Sequence, residues 1–219
     1  MAKRIIGFEN SNSSIKGVSA LKSIYYPNTM QQVRTVNSLN RTLGSKSTYE
    51  IDGKKYQVGF DNGYGSGSKD ESRYYSERFK IESAIAFYQM CHHGDRLKVV
   101  TGLPTNLASR DDIVDKLKQN LVGPYEVKCE GQRKNFIVES VMVASQPVGT
   151  LWSILFKTDG SLKVNRDVFT KEFFIIDIGY GTTDIVVLSA SKGIDDSQTR
   201  TFDIAMTDYV NSLYNAVEQ

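Results

Sequence analysis

One segment near the end of the chain, Asp-Ile-Gly-Tyr-Gly-Thr-Thr-Asp at residues 177–184, combines the residue types that can hold a phosphate. Apolar residues 173–176 before it predict a buried strand, and Ile-Val-Val-Leu after it predicts a second one, so the segment is the turn of a β-hairpin. Its glycines would allow positive φ and a close backbone approach to an anion, on which turn N–H groups and threonine hydroxyls converge. The candidate phosphate-binding residues are Gly179, Gly181, Thr182 and Thr183. Asp177, at the end of the first strand, is placed to hold a hydrated Mg²⁺ or the attacking water.

A glycine-rich hairpin with a hydrogen-bonded turn explains the same residues equally well when the segment is taken alone. The N-terminus, however, repeats the pattern. Residues 4–8 form a short apolar strand, and Glu9, a small polar turn and Lys16 follow it. Two such hairpins, separated by the length of a domain, predict two phosphate clamps that face each other across a cleft.

Four segments in order along the chain resemble the actin, Hsp70 and sugar-kinase superfamily, and most closely the ParM-type bacterial actin-like ATPases that segregate plasmids. Residues 177–184 look like the second phosphate motif of that family, and residues 6–16 like a degraded first motif. Val-Val-Thr-Gly-Leu-Pro-Thr-Asn at 99–106 and Val-Ala-Ser-Gln-Pro-Val-Gly-Thr-Leu-Trp at 143–152 are similar to its internal segments. The resemblance implies an α/β fold, the actin-like (ribonuclease-H-like) mixed sheet flanked by helices. Because family members continue past residue 219, it also implies an incomplete second domain.

The resemblance also implies roles for individual residues. Gln146 would orient the attacking water, since a neutral amide both donates to and accepts from water, and Lys16 would reach the β- and γ-phosphates. Further phosphate donors would be Asn12, Ser13 and Ser14. ATP or ADP with Mg²⁺ would be bound, with Glu9 and Asp177 as metal ligands. Without the resemblance, Gln146 is an ordinary polar start of a helix, Lys16 a solvated strand lysine, and the polar turn only a turn.

The first motif departs from the family pattern at two positions. Glu9 stands where the family has Asp, and this places the carboxylate one methylene further out. Ser11 stands where the family has Gly, and a serine resists the positive φ that glycine accepts. We therefore expect weaker or altered nucleotide binding, and the ATPase activity of this chain is left open.

The order of elements predicts a first actin-like domain over residues 1–170, with a polar insertion at about 27–75, and the start of a second domain over residues 171–219. Within the insertion, residues 60–69 imitate a phosphate hairpin, yet no second strand follows, so a surface loop is expected. Ser76 is expected to cap a helix that runs to about Met90, and Pro147 to lie in the first turn of another.

The composition excludes several classes of protein. The 219 residues include 27 basic and 25 acidic side chains, a net charge of +2 that is too small for a general nucleic-acid surface. Cys91 and Cys129 lack the spacing of metal ligands, which favours a reducing, cytoplasmic location. No apolar run is long enough to span a membrane, and the first residues lack a signal-peptide core.

Three functions fit these observations. The first is a nucleotide-dependent, filament-forming protein of the plasmid-segregation type, with self-association and a DNA-binding adaptor as its interactions. The second is a short actin-like chain that caps or regulates filaments of a relative without ATPase activity. The third, a sugar or small-molecule kinase, is disfavoured because no acid is free to act as a base toward a substrate hydroxyl.

Overall fold

The computed structural model describes residues 2–33, 47–60, 70–157, 159–189, 193–195 and 197–217. The chain forms two compact units: the first comprises residues 1–101 and 115–142, and the second comprises residues 102–114 and 143–219. The expected domain boundary at residue 170 differs from these limits and stays a prediction.

A mixed sheet dominates the first unit. Its strands are β1 (Lys3–Asn10), β2 (Ser14–Ser19), β3 (Ser23–Pro27), β4 (Met30–Val33), β5 (Tyr49–Ile51), β6 (Lys54–Val58), β7 (Arg96–Leu103), β8 (Gly123–Cys129) and β9 (Gln132–Ser145). In the described residues these nine strands lie in the order β3-β2-β1-β7-β9-β8-β5-β6-β4. The pair β1–β7 is parallel, whereas β1–β2, β2–β3 and β8–β9 are antiparallel. The last residues of β7 and β9 belong to the second unit.

Helix α1 (Glu77–Met90) forms the centre of the first core. Ser76 caps it as expected, because the side chain accepts a hydrogen bond from the Phe79 N–H at 3.2 Å. Most of the helix is buried, and Phe87 packs edge-to-face on Phe8 of β1 at 4.9 Å between ring centroids. Helix α1 therefore supports the strand that leads into the first hairpin.

Part of the polar insertion is regular sheet. Strands β4 and β5 both pair antiparallel with β6, and β5 also pairs antiparallel with β8. Asp52 and Gly53, which connect β5 to β6, have φ of 48° and 73°, as a two-residue hairpin turn of type I′ requires. The phosphate-like segment expected to be a surface loop lies outside the described residues, except for Phe60.

The second unit contains a smaller sheet. Its strands are β10 (Glu172–Ile178), β11 (Thr183–Ser189), β12 (Gly193–Ile194) and β13 (Arg200–Phe202), and β10, β12 and β13 all pair antiparallel with β11. The other helices in the described residues are α2 (Thr105–Ala108), α3 (Asp111–Leu121), α4 (Gln146–Leu155) and α5 (Met206–Val217), with 3-10 turns at Glu71–Tyr75 and Arg166–Thr170. Pro147 lies in the first turn of α4, as expected. The mixed sheet of the first unit and the antiparallel sheet of the second, together with their helices, confirm the α/β class.

Strand β10 differs from the expected buried strand. Its side chains alternate, so that Phe174, Ile176 and Ile178 are 64%, 54% and 62% exposed on one face. An apolar run alone predicts burial on both faces, whereas the described residues cover only one face of this strand. In the described part of the chain, no helix combines the length and the apolar character needed to cross a membrane.

Candidate functional site

The first hairpin is longer than the sequence suggests. Strand β1 continues through Asn10 and β2 begins at Ser14, so the turn consists of residues 11–13 only. Glu9 therefore lies inside the strand, where its cross-strand partner is Lys16. The Lys16 Nζ is 3.2 Å from the Glu9 Oε2. The candidate metal ligand and the candidate phosphate-binding lysine thus neutralise each other.

This ion pair does not prevent either residue from binding a ligand. Both side chains are well exposed, and exposed pairs contribute only about 0–1 kcal/mol. A phosphate group with two negative charges would compete for the Lys16 ammonium at little cost.

Ser11 does not adopt the positive φ that the family pattern suggests for this position. Its hydroxyl donates to the Ser14 carbonyl at 2.8 Å and accepts from the Ser14 N–H at 3.1 Å. The Ser11 conformation agrees with the expectation that a serine resists positive φ, and the serine instead closes the turn with its own side chain.

Arg73, which the sequence did not single out, organises the turn. Its guanidinium donates to the Asn10 carbonyl at 3.0 Å, the Asn10 Oδ1 at 2.8 Å and the Ser11 carbonyl at 3.3 Å. It also donates to the Asn12 Oδ1. Burial lowers the pKa of Arg73, but a guanidinium remains charged in a protein. One cation therefore fixes three consecutive residues at the end of the hairpin.

A buried polar network extends below the same turn. The Asn28 Nδ2 donates to the Asn10 Oδ1 at 2.8 Å and to the Ser11 carbonyl at 2.5 Å. The Asn10 Nδ2 donates in turn to the Glu82 Oε2 at 3.0 Å, and Arg78 pairs with the other oxygen of that carboxylate at 2.8 Å. Glu82 is only 2% exposed, so its charge is held by these donors instead of water. The turn is thus set in place before any ligand arrives.

The carbonyl and N–H groups of the first turn are used unequally. The carbonyls of Asn10 and Ser11 accept from Arg73, and the Ser13 carbonyl accepts from the Asn28 N–H at 2.9 Å. No acceptor within the described residues pairs with the N–H groups at the tip, those of Asn12 and Ser13. Such a tip has free donors and only some free carbonyls, which is an arrangement that can bind an anion.

The second hairpin also extends its strands further than expected. Asp177 lies within β10 opposite Asp184, and Ile178 is opposite Thr183, so the turn consists of residues 179–182. The Gly179 N–H donates to the Thr182 carbonyl at 2.9 Å. These bounds place Asp177 two residues before the turn.

Glycine is required in this turn for space instead of backbone conformation. The glycines with positive φ in the described part of the chain do not include Gly179 or Gly181, so the expected left-handed conformation is wrong. A Cβ on Gly179 would lie 2.9 Å from the Thr182 carbonyl oxygen, which is closer than van der Waals contact allows. Any side chain at position 179 would therefore force the turn apart.

The N-terminus of α5 holds the carbonyls of this turn. The Met206 N–H donates to the Gly179 carbonyl at 3.2 Å, and the Tyr180 carbonyl accepts from both the N–H and the hydroxyl of Thr207 at 3.2 and 2.8 Å. The described residues offer no acceptor to the N–H groups of Tyr180 and Gly181. The second turn thus has the same property as the first: most of its carbonyls have donors, while its tip N–H groups have no acceptor in the described residues.

The two threonines differ in availability. The Thr183 hydroxyl donates to the Ile204 carbonyl at 2.6 Å and must exchange this partner to reach a phosphate. The Thr182 hydroxyl has no partner among the described residues. Of the two, Thr182 is the better placed as a donor.

Two carboxylates lie opposite each other beside this turn. Asp184 is 3% exposed and accepts from the Thr201 hydroxyl at 2.6 Å. Burial raises the pKa of Asp184, the charge of Asp177 raises it further, and the Thr201 hydrogen bond opposes both effects. A cation between the two would relieve this repulsion. Two carboxylates suit Mg²⁺, which commonly binds one or two and takes its other ligands from phosphate and water.

Metal ligation would depend on such outside ligands, because no group of three or more His, Cys, Asp or Glu side chains with metal-binding geometry occurs in the residues that the structure describes. The predicted site residues fall into two sets. The first unit holds Glu9, Asn12, Ser13, Ser14 and Lys16, and the second holds Gln146, Asp177, Gly179, Gly181, Thr182 and Thr183. Asp184 could have been identified from the final acid of the motif, whereas no sequence signal marks Arg73.

Gln146 is the first residue of α4 and packs on the end of β7. A Cβ on Gly102 would lie 2.7 Å from the Gln146 Cγ, so this glycine leaves the space that the glutamine occupies. Ser145, the residue before Gln146, shares a buried hydrogen bond of 2.8 Å between its hydroxyl and that of Thr105. The start of Gln146 is thus closely packed against neighbouring residues of the second unit.

Comparison with solved structures identifies the fold. The chain is similar to the apo ParM protein of pSK41, with 18% identity, a TM-score of 0.79 and coverage of 100% of this chain and 72% of that one. It is similar to the archaeal actin homologue Ta0583, at 18% identity and a TM-score of 0.79, over 98% of this chain and 66% of that one. Ta0583 has also been solved with ADP. A 15-stranded ParM filament from Clostridium botulinum gives 20% identity and a TM-score of 0.74, over 99% and 69% of the two chains.

The chain spans about two thirds of the length of these structures, and at these identities the likeness shows an actin-like fold. No curated protein matches the chain. The family model described as the N-terminal domain of actin-like proteins matches residues 7–149, which is more than half of the chain. The chain therefore belongs to the family of actin-like proteins.

Proposed function

We propose that this chain takes part in nucleotide-dependent filament formation and that its two hairpin turns bind the phosphates of ATP or ADP. The observation that carries the proposal is shared by both turns: internal donors hold most of the turn carbonyls, while N–H groups at the tip have no acceptor in the described residues. These N–H groups lie at the surface, where water can solvate them, and an anion bound at the tip would accept from several of them at once.

Phosphate binding in the first unit would use the tip N–H groups, the Asn12 amide, the hydroxyls of Ser13 and Ser14, and the Lys16 ammonium. Because Ser14 is buried and bonded to Ser11, we assign it to the support of the turn as well. Lys16 would leave Glu9 for the more strongly charged phosphates, and Glu9 would then be free to reach a metal-bound water.

In the second unit, Asp177 would hold the hydrated cation with Asp184 behind it, and Thr182 and the Tyr180 and Gly181 N–H groups would donate to phosphate oxygens. Gln146 would orient the attacking water through its neutral amide. Bound Mg²⁺ would supply charge neutralisation at the phosphates. Positioning and electrostatics of this kind are the main contributions that a protein makes to phosphoryl transfer.

The solved relatives support the wider proposal. Ta0583 was solved with ADP, and ParM of Clostridium botulinum forms a filament. By the same family resemblance we propose a DNA-binding adaptor as partner, no direct contact with nucleic acid or membrane, and action in the cytoplasm on plasmid partition.

Calorimetric titration with Mg²⁺–ATP and Mg²⁺–ADP tests the phosphate assignment. Asp177→Asn should weaken nucleotide binding in the presence of Mg²⁺ much more than in its absence, because the change removes a charged metal ligand and keeps the shape of the side chain. Asp167→Asn, at an exposed acid on the Arg166–Thr170 turn of the same unit, is the matched control and should bind like the parent. Equal binding by both variants, or no nucleotide binding by the parent, would contradict the proposal.

A second candidate is a capping or regulatory protein without ATPase activity. The observation that favours it is the exposed apolar face of β10, formed by Phe174, Ile176 and Ile178, which is suited to contact another actin-like chain. Sedimentation distinguishes the two functions. A filament former should pellet with ATP by itself, whereas a capping protein should stay in the supernatant and reduce the pelleting of a ParM-type protein at substoichiometric amounts.

A further inference from the structure

The end of β7 and the start of α2, residues 102–105, make three contacts that converge on Gln146 and on the second hairpin. The first is steric: a Cβ on Gly102 would lie 2.7 Å from the Gln146 Cγ and 3.5 Å from its Cα. Only the Cγ would be too close, because 3.5 Å is an ordinary van der Waals contact, and turning the terminal amide would not move the Cγ. Gln146 would have to change its χ1 rotamer or the start of α4 would have to shift. Position 102 therefore constrains the first bonds of the Gln146 side chain.

The second contact links Thr105 to the residue before Gln146. The hydroxyls of Thr105 and Ser145 are 2.8 Å apart, and both residues are buried, with 6% and 7% exposure. Ser145 is the N-cap residue of α4, but its side chain makes no capping hydrogen bond to the helix. The Ser145 hydroxyl is thus directed to Thr105 instead of the α4 backbone, which binds the start of α4 to α2.

The third contact links Thr105 to the second hairpin. The Thr105 backbone N–H lies near enough to the Asp184 carboxylate to lower its pKa, and Asp184 is opposite Asp177 across the β10–β11 pair. Asp184 accepts from Thr201 of β13, the strand that α2 packs against. Thr105 therefore holds the start of α4 with its hydroxyl, and its backbone lies beside the hairpin strand that carries Asp184.

We propose that Gly102 and Thr105 are positioning residues that set Gln146 relative to the Asp177–Asp184 carboxylate pair. The inference rests on the proposed function, because the value of this placement lies in orienting a water for attack on a phosphate. Neither residue touches a ligand. Their effect is on the geometry of Gln146, and errors of about 1 Å in such a group can reduce a rate by roughly 10²-fold.

Two pairs of variants of the full chain test the inference. Thr105→Val removes the hydroxyl and keeps the shape, while Thr105→Ser keeps the hydroxyl. Gly102→Ala introduces the colliding methyl group. Gly149→Ala makes the same substitution within α4 at a position where a Cβ would meet nothing within 4 Å. Thr170→Val removes an exposed threonine hydroxyl of the same unit and controls for the loss of a hydrogen bond.

The first measurement needs no nucleotide. In ¹H–¹⁵N NMR spectra, the side-chain amide signal of Gln146 should shift in Thr105→Val and Gly102→Ala and should stay in place in Thr105→Ser, Gly149→Ala and Thr170→Val. Unshifted signals in the first two variants, with the fold retained, would overturn the inference whether or not the chain binds ATP.

The second measurement separates placement of the water from binding of the nucleotide. Thr105→Val should lower kcat for ATP hydrolysis about tenfold while the Kd for Mg²⁺–ATP changes less than twofold, and Thr105→Ser should restore kcat. Equal kcat values for Thr105→Val and the parent would refute the inference and leave the proposed function standing. If the parent itself binds no nucleotide, the proposed function fails and the NMR measurement alone decides the positioning role.

Discussion

Replacing Arg73 by methionine should loosen the first hairpin turn and destabilise the first unit. Methionine keeps most of the aliphatic stem and removes the guanidinium, whose Cζ also lies 5.3 Å from the Tyr74 ring centroid and 5.8 Å from that of Phe79. Two of the lost hydrogen bonds have good lengths, 3.0 Å to the Asn10 carbonyl and 2.8 Å to the Asn10 Oδ1, and a third to the Ser11 carbonyl is longer at 3.3 Å.

Hydrogen bonds to a charged group contribute about 1.5–3 kcal/mol each. Because Arg73 is only half-buried and water can replace part of the loss, the lower value for the two good bonds is appropriate, a total of about 3 kcal/mol. For a chain of this size, that loss corresponds to a fall in Tm of about 6–12 °C. Arg73→Lys should fall between the variant and the parent, since an ammonium keeps the charge and loses the planar fork that reaches several acceptors.

Urea denaturation followed by circular dichroism and thermal scanning measure the effect. Arg133→Met is the matched control: Arg133 is exposed and pairs at 3.4 Å with Glu126, so the change should cost less than about 0.5 kcal/mol. Nucleotide titration of the same variants adds a functional readout, because a loosened turn should bind phosphate less tightly. If Arg73→Met were as stable as Arg133→Met, the idea that the Arg73 guanidinium holds the turn would be refuted.

Three further outcomes follow from the second hairpin. Asp177→Ala should abolish nucleotide-dependent pelleting while circular dichroism stays unchanged, and pelleting like the parent would contradict the metal-ligand assignment. Gly179→Ala should lower the urea midpoint of unfolding because its Cβ would meet a backbone oxygen at 2.9 Å. Gly149→Ala, in an open helical position, should raise that midpoint slightly. A higher midpoint for Gly179→Ala than for Gly149→Ala would show that the turn is loosely packed. Asp184 has a raised pKa in the folded state, so its contribution to stability is lost as pH rises from its ordinary value of about 4 through the folded value. Asp184→Asn should therefore gain stability relative to the parent between pH 4 and pH 7. If the unfolding midpoints of the variant and the parent changed equally with pH over this range, the raised pKa of Asp184 would be disproved.

The sequence alone determined the local features. Ser76 predicted a helix cap and Pro147 the first turn of α4, because each depends on the conformation of a few neighbouring residues. The order of motifs also sufficed for the α/β class and the actin-like family. These signals are carried by residue type and spacing, and packing adds little to them.

Tertiary structure decided which groups near the two turns are free and which are occupied. Hydrogen bonds from Arg73 and Thr207, which lie 61 and 27 residues from the acceptors that they contact, occupy oxygens of the turns and leave the tip N–H groups unpaired. The exposure of one face of β10, the burial of Asp184 and the contact of Thr105 with Ser145 likewise join residues distant in the chain. Hydrophobic pattern and spacing report the preferences of a segment, whereas the partner of a polar group is fixed only when the folded chain brings a distant donor to it.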